Sequence, residues 1–392
     1  MECAVYSITS KLAKESVLIN DGINWRELGM KLSKIILQSV WLFALLSSYN
    51  CHALVNPSKD IKDSMLDLKR EATFTQFIKS TINPFWESYA VPGRFVNRQG
   101  LTIHFVEVGN EHAEHTIVIS PGRVEGYLKY KELAFDLVEQ GYRVFIIDHQ
   151  GQGLSSRLLV NRHKGHVKHF DDYASDFNQF MTEIVEPKVV GSVSIVAHSM
   201  GSAIALRYLQ THQHKVNKTV FSSPMWGLPT GPIPAQVLKP VVKSAAWLVE
   251  LVQPQTPYFV GSMDYESVPF ATNSLTHSEA RYQYFREIYE QNPELKLGGI
   301  TYSWVVASIN ALDKAYAQLD RVRIPVMVFQ ASEDGVIDNE AQNKFCQRLK
   351  DVGNECETGQ PIVFDGARHE IFIERDAIRA KAITQMLAFI KS

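Results

Sequence analysis

From residue 116 onward the chain alternates two kinds of apolar spacing. "TIVIS" (116–120), "YRVFIID" (142–148), "VSIVAH" (193–198), "NKTVFSSP" (217–224), "IPVMVFQAS" (324–332) and "PIVFDG" (361–366) are short runs rich in β-branched and aromatic residues. Near-continuous apolar runs of this length mark strands covered on both faces. Between them, "YKELAFDLVEQ" (130–140), "DDYASDFNQFMTEIV" (171–185), "NEAQNKFCQRLKDVG" (339–353) and "RDAIRAKAITQMLAFIKS" (375–392) carry helical spacing. The first and third stop at Gly141 and Gly353, as helices often do. Strands separated by helices predict an α/β fold with a mostly parallel central sheet and helices on both faces.

The alternation breaks between Pro224 and about Asp320. Pro229, Pro232, Pro234 and Pro240 crowd the start, and "AQVLKPVVKSAAWLVELV" (235–252) then presents a long apolar surface. In "TNSLTHSEARYQYFREIYEQNP" (272–293), Thr276 and Glu279 have the spacing of a capping box. Tyr282, Phe285 and Tyr289 follow at helical spacing, and Pro293 ends the run. A strand-free segment inside an α/β pattern predicts an inserted helical cap over 224–319, between core parts at 80–223 and 320–392; extra core helices are the alternative. Trp247, Leu248 and Leu251 are the candidate apolar lining of a binding site on it. Lys239 and Lys243 add positive charge to the same segment and could steer an anionic ligand. His277 and Arg281, one helical turn apart, are candidate contacts for a polar ligand group, with ordinary solvated side chains as the alternative.

The amino-terminal region adds a compartment. Residues 35–46, "IILQSVWLFALL", are almost wholly apolar, follow Lys31 and Lys34, and precede "SSYNCHA". A basic start, a short apolar run and small residues predict a signal peptide over 30–53, within a leader of 1–53, cleaved near Ala53. The run is short of the roughly 20 residues that span a bilayer. An uncleaved anchor or a buried helix is the alternative. Removing the leader takes Cys3 and Cys51 with it and leaves Cys346 and Cys356. An oxidising compartment would let these two pair, but spacing alone does not bring them together, and the expectation is two free thiols, one on a helix and one in a loop. With 40 basic and 42 acidic residues, the net charge of -2 gives no field for nucleic acid.

The chemistry lies in "IVAHSMGSAIAL" (195–206). Here an apolar strand runs into Ser199 and turns at once to helix-forming sequence, with Ala197 two residues before and Gly201 two after. This is a nucleophile elbow with Ala in place of its first Gly. A serine hydroxyl needs a base within reach and a third group to orient that base. "FQASEDGVID" places Asp334 past the end of a strand, and "VFDGARHEIF" places His369 in the loop after the next. Serine, acid and histidine then follow in the order such a fold uses. Glu333 and Asp338 are the fallback acids, and His198 is expected to pack under the elbow. The amide of Met200 opens a helix and can meet an oxyanion; the amide of Arg123, in "ISPGRVEGY", is the expected second donor. A helix-capping Ser199 and a plain Pro-Gly turn at Gly122 are the bland alternatives. His163, His166 and His169 recur in "RHKGHVKHF", but Gly165 interrupts them and no evident carboxylate or Cys completes a set, so no metal is expected. "GQG" at 151–153 lacks the third glycine of a dinucleotide fingerprint.

"SPGRVEGYLKYKELAFDL", "DHQGQGLSSR", "GHVKHFDDYASD", "AHSMGSAIAL", "NSLTHSEARYQ" and "GARHEIFIERDA" together resemble the bacterial inner-membrane lysophospholipases. These are monoacylglycerol-lipase-like members of the α/β-hydrolase superfamily, and the resemblance covers about residues 80–392. It implies the α/β-hydrolase fold, with Ser199 as nucleophile, Asp334 as acid, His369 as base and the Arg123 and Met200 amides as oxyanion hole. It implies hydrolysis of the acyl ester of a lysophospholipid, with no cofactor and with transacylation as a side activity. The runner-up substrate is a monoacylglycerol or a general carboxylic ester, and a non-catalytic lipid-binding module is the alternative from outside enzymology. The leader and Cys356 depart from that family's pattern. They move the expected location to the periplasm or outside, with the protein peripherally bound to a membrane surface; the cytoplasmic face of the inner membrane is the alternative.

Overall fold

A computed structural model describes residues 70–228, 235–253 and 256–392. The leader and its apolar run lie outside the described residues. The six strand-like runs form β3 (His115–Ser120), β4 (Arg143–Ile147), β5 (Ser192–His198), β6 (Lys218–Ser222), β7 (Val326–Ala331) and β8 (Ile362–Phe364). Two more precede them, β1 (Ala90–Val96) and β2 (Thr102–Val108). The sheet order is β1-β2-β4-β3-β5-β6-β7-β8. The β1–β2 and β2–β4 pairs are antiparallel, and every later pair is parallel. Sequence pattern missed the antiparallel hairpin for a physical reason. β1 is an edge strand that carries Pro92 and Gly93, and much of it stays exposed, so it never shows a continuous apolar run.

The helices that cover the sheet are α1 (Lys131–Glu139), α2 (Asp171–Gln179), α3 (Met200–Thr211), α4 (Ala235–Val252), α5 (Glu279–Gln291), α6 (Tyr302–Ala317), α7 (Asn339–Asp351) and α8 (Asp376–Lys391). Two apolar layers pack on opposite faces of the sheet. One gathers Phe145, Phe177, Ile195, Leu206, Val328 and Phe345. The other gathers Leu137, Val144, Val196, Phe329, Ile383 and Met386. Residues of one strand divide between them, as period-two alternation requires. Among the described residues no strand intervenes between β6 and β7; α4, α5 and α6 fill that interval. None of the described helices is long and apolar enough to cross a membrane.

Three local expectations change. Cys346 and Cys356 are bonded to each other, with Cα atoms 5.5 Å apart. Sequence spacing gave no sign of this, because the Cys356 loop is brought to α7 by pairing beside β7, at Val326. The cap of α5 is Ser278, whose hydroxyl accepts the Arg281 N–H, rather than Thr276. Thr276 instead donates to the Ile373 carbonyl at 2.8 Å and accepts from the Ser278 N–H at 3.0 Å. The helical run begun by α2 continues as a wider π-type turn over Phe180–Val185.

Candidate active site

Ser199 sits between the end of β5 and the first turn of α3, with φ 49° and ψ -118°. Positive φ on a serine is costly and persists only where surrounding contacts fix it. Those contacts are visible: the Ser199 N–H donates to Ser222 O at 3.1 Å, and Met225 N–H donates to Ser199 O at 3.1 Å. Gly201 lets α3 press onto the end of β3, and the side chain of Ala197 is fully buried beneath the turn. Although Ser199 holds the cap position of α3, its hydroxyl makes no capping bond. It points at His369, with Oγ 3.0 Å from Nε2.

His369 stands in the loop after β8, and its Nδ1 lies 2.8 Å from Asp334 Oδ2. The Asp334 carboxylate has no solvent exposure, and its other oxygen accepts the Val336 and Ile337 N–H groups at 2.9 and 3.2 Å. Both oxygens are therefore fixed. The fallback acids are engaged elsewhere: Glu333 pairs with His277, and Asp338 caps α7. Residues from three separate loops thus form one hydrogen-bonded line at the carboxyl ends of parallel strands, where ligands bind in open α/β sheets. Such a line can take a proton from the serine and hold the resulting imidazolium beside a carboxylate.

A second buried network lies behind it, and sequence reading missed its extent. His198 packs under the elbow as expected, its ring centre 4.9 Å from that of His369. Its Nδ1 is 3.2 Å from Glu125 Oε2, and its Nε2 is 3.4 Å from the His369 carbonyl oxygen. Lys129 donates to Glu125 at 2.6 Å and also to Glu370. Tyr130 donates to Glu125 at 2.6 Å, and the same carboxylate accepts the Gly122 N–H. Burial works against a charged Glu125, but Lys129 and His198 outweigh it and hold the carboxyl well below its usual range. Burial likewise opposes charge on His198, and Glu125 overcomes it to raise the His198 pKa. The available sequence signal was the four-residue spacing of Glu125 and Lys129; the partners on β5 and at 370 needed the fold.

The family model described as "Serine aminopeptidase, S33" (Hydrolase_4) matches residues 111–376. The chain belongs to the Hydrolase_4 family. Lysophospholipase L2 of Escherichia coli K12 is 35% identical over 320 residues, 82% of this chain and 93% of that one. The monoglyceride lipase of Rattus norvegicus is 24% identical over 65% of this chain and 80% of its own. Among solved structures, a thermostable carboxyl esterase of Bacillus coagulans has a TM-score of 0.60 at 17% identity, over 77% of this chain and 98% of that one. The monoacylglycerol lipase of Paleococcus ferrophilus has a TM-score of 0.55 at 20% identity, over 73% and 98%. The fold is that of the α/β-hydrolases.

For this Hydrolase_4 chain, several expected substrate contacts fall elsewhere. Trp247 and Leu251 are 65% and 68% exposed, on the outward side of α4. A helix with apolar residues on more than one side does not declare which side packs, and here Leu238 and Val242 turn inward. They line a cleft of about 650 Å3 that also includes Trp226, Ile309 and Leu312. Arg281 is buried, with Glu132, Asp376 and the Glu374 carbonyl as partners, so its donors are spent inside the fold. His277 has a carboxylate on each ring nitrogen, Glu374 and Glu333, both at 3.2 Å. Lys239 and Lys243 both pair with Asp313. Among the described residues no group of three or more His, Cys, Asp or Glu could hold a metal ion. His163 accepts the Tyr265 N–H, and His166 lies 3.1 Å from the Thr301 hydroxyl.

Proposed function

We propose that this protein is a serine hydrolase that cleaves the single acyl ester of lysophospholipids through an acyl-enzyme on Ser199. The observation that carries the chemistry is the Ser199–His369–Asp334 line, with contacts of 3.0 and 2.8 Å. His369 Nε2 takes the hydroxyl proton as Oγ bonds to the ester carbonyl carbon. The oxyanion so formed faces the amides of Arg123 and Met200. His369 then gives its proton to the departing glycerol oxygen, leaving the acyl group on Ser199. A water molecule, deprotonated by the same imidazole, releases the fatty acid. Asp334 holds the imidazole tautomer throughout.

The choice of lysophospholipid is supported by 35% identity to the Escherichia coli lysophospholipase. Monoacylglycerol hydrolysis is the second reading, favoured by the likeness to monoglyceride lipases. The cleft beside Trp226 begins one residue from Met225, which bonds Ser199, and its apolar lining suits one acyl chain. We also propose work at a membrane surface, on the periplasmic or exported side. The outward apolar face of α4 and the Cys346–Cys356 bond support this. The test compares hydrolysis of lysophosphatidylcholine, a monoacylglycerol and a short nitrophenyl ester, with fluorophosphonate labelling of Ser199. Full esterase activity in S199A would reject the mechanism.

A further inference from the structure

Arg123 follows the glycine that packs against the elbow, and among the described residues no acid pairs with its guanidinium. Its neighbour Gly122 touches the elbow, since a β-carbon at 122 would stand 3.2 Å from Ser199 Cβ. The next residue, Val124, is held at φ 68°, where a β-branched side chain is rarely found. Tyr289 donates to the Val124 carbonyl at 2.6 Å, and Gln152 donates to the Gly122 carbonyl at 2.7 Å. The direction in which Arg123 leaves this loop is thereby fixed.

The guanidinium Nη1 donates to Gly298 O at 2.7 Å and packs against Gly165, 3.4 Å from where a β-carbon there would lie. Among the described residues no carboxylate pairs with it, and its electrostatic neighbour is the phenol of Tyr173. Arg70, Arg281 and Arg379 each pair with acids. Burial lowers the Arg123 pKa to about 10, which leaves it cationic at neutral pH. A guanidinium has five N–H donors, and one carbonyl occupies one of them. An unmatched charge in a partly desolvated place gains strongly from an incoming anion. Gly165 belongs to the run "RHKGHVKHF", which carries Arg162, Lys164 and Lys168.

We propose that the Arg123 side chain binds the phosphate of the substrate head group and selects lysophospholipids over monoacylglycerols. This rests on the serine-hydrolase reading above and names what that site distinguishes. A lysophospholipid phosphate lies one glycerol unit from the scissile ester, and Arg123 begins one residue from the glycine that touches Ser199. The neutral hydroxyl of a monoacylglycerol leaves the cation unmatched.

The test measures kcat/KM for lysophosphatidylcholine and for the monoacylglycerol of the same acyl chain, in the wild type, R123M and R123K. The lysophospholipid-to-monoacylglycerol ratio should fall roughly tenfold or more in R123M. R123K should recover part of it, through a point charge without the bidentate fork. The ratio cancels any general damage to the neighbouring loop, and R123Q carries the same comparison if R123M does not fold. An unchanged ratio overturns the proposal. So does an unchanged ratio accompanied by inorganic-phosphate inhibition in wild type but not in R123M, because the site would then take a free anion. A wild type inactive on both lipids would instead defeat the broader reading.

Discussion

A β-carbon placed on Gly201 would stand 2.1 Å from the carbonyl oxygen of Ser120. The first turn of α3 and the end of β3 therefore touch through backbone, and that contact sets the height of the elbow. The opposing atom is a carbonyl fixed in the sheet, so it cannot yield as a flexible side chain would. Gly201→Ala should push α3 outward and displace Ser199 with it. A displacement near 1 Å costs about 100-fold in rate. Nitrophenyl-ester turnover and a thermal melt of G201A measure both consequences; wild-type turnover would show that the contact does not set the elbow.

Asp334→Asn keeps an acceptor for the Val336 and Ile337 amides but removes the charge beside His369. It also favours the wrong imidazole tautomer. The fold should survive, with a melting temperature close to wild type, while kcat falls by roughly 10³ to 10⁴. Steady-state kinetics with circular dichroism checks this. A loss under tenfold would assign the orienting role to another group.

The Glu125–His198 pair predicts a pH signature. Glu125 has its pKa depressed, so its contribution is present above the ordinary value of 4.5 and is lost as pH falls through the lowered value. His198 has its pKa raised, so its contribution is complete below 6.5 and is lost as pH rises through the raised value. The pair therefore contributes most between about pH 4.5 and 6.5. In E125Q the His198 pKa should drop, since its principal charge partner is gone. The melting-temperature difference between wild type and E125Q should shrink above pH 6.5; a difference flat across pH 5 to 9 would contradict the pairing.

Cys346 and Cys356 are 10 positions apart, a short loop. Loop-closure arithmetic for that length gives about 3 kcal/mol from restricting the unfolded chain. The double variant C346S/C356S should lose about that much in urea unfolding and keep its turnover, because neither sulfur lies in the site. Mass measurement under non-reducing conditions tests the bond directly, and two free thiols would contradict it.

Trp247 and Leu251 face solvent on α4, with Leu248 beside them at 54% exposure. A bilayer would cover such a patch. W247S/L251S should weaken partition into phospholipid vesicles by tenfold or more, at roughly 1.5 to 3 kcal/mol per large apolar side chain. Turnover of a soluble short ester should change little. Vesicle co-sedimentation reads the first and a plate assay the second; equal partition would reject this face of α4 as a membrane contact.

How far the sequence reaches differs from residue to residue. Strands β3 to β7 were legible because burial on both faces writes a continuous apolar run. The Ser199 turn was legible because a tight strand-to-helix corner demands small residues at fixed offsets. Asp334 and His369 followed from chain order and from their places after strands, yet Glu333 and Asp338 competed until the fold showed which carboxylate reached Nδ1. Edge strand β1 stayed hidden, because an exposed strand containing Pro and Gly has no such signature.

Sequence alone decided what each segment prefers: strand, helix, corner, and which side chains carry chemistry. Tertiary structure alone decided who meets whom. It turned Trp247 outward and Leu238 inward on a helix apolar on both sides, buried Arg281 among acids up to 149 positions away, and joined Cys346 to Cys356. It also set the Arg123 guanidinium on the Gly298 carbonyl, with no acidic partner among the described residues. Periodicity is a property of neighbours along the chain. Pairing, helix facing and the balance of buried charge depend on atoms brought together from distant positions, and those distances exist only once the two apolar layers have packed onto the sheet.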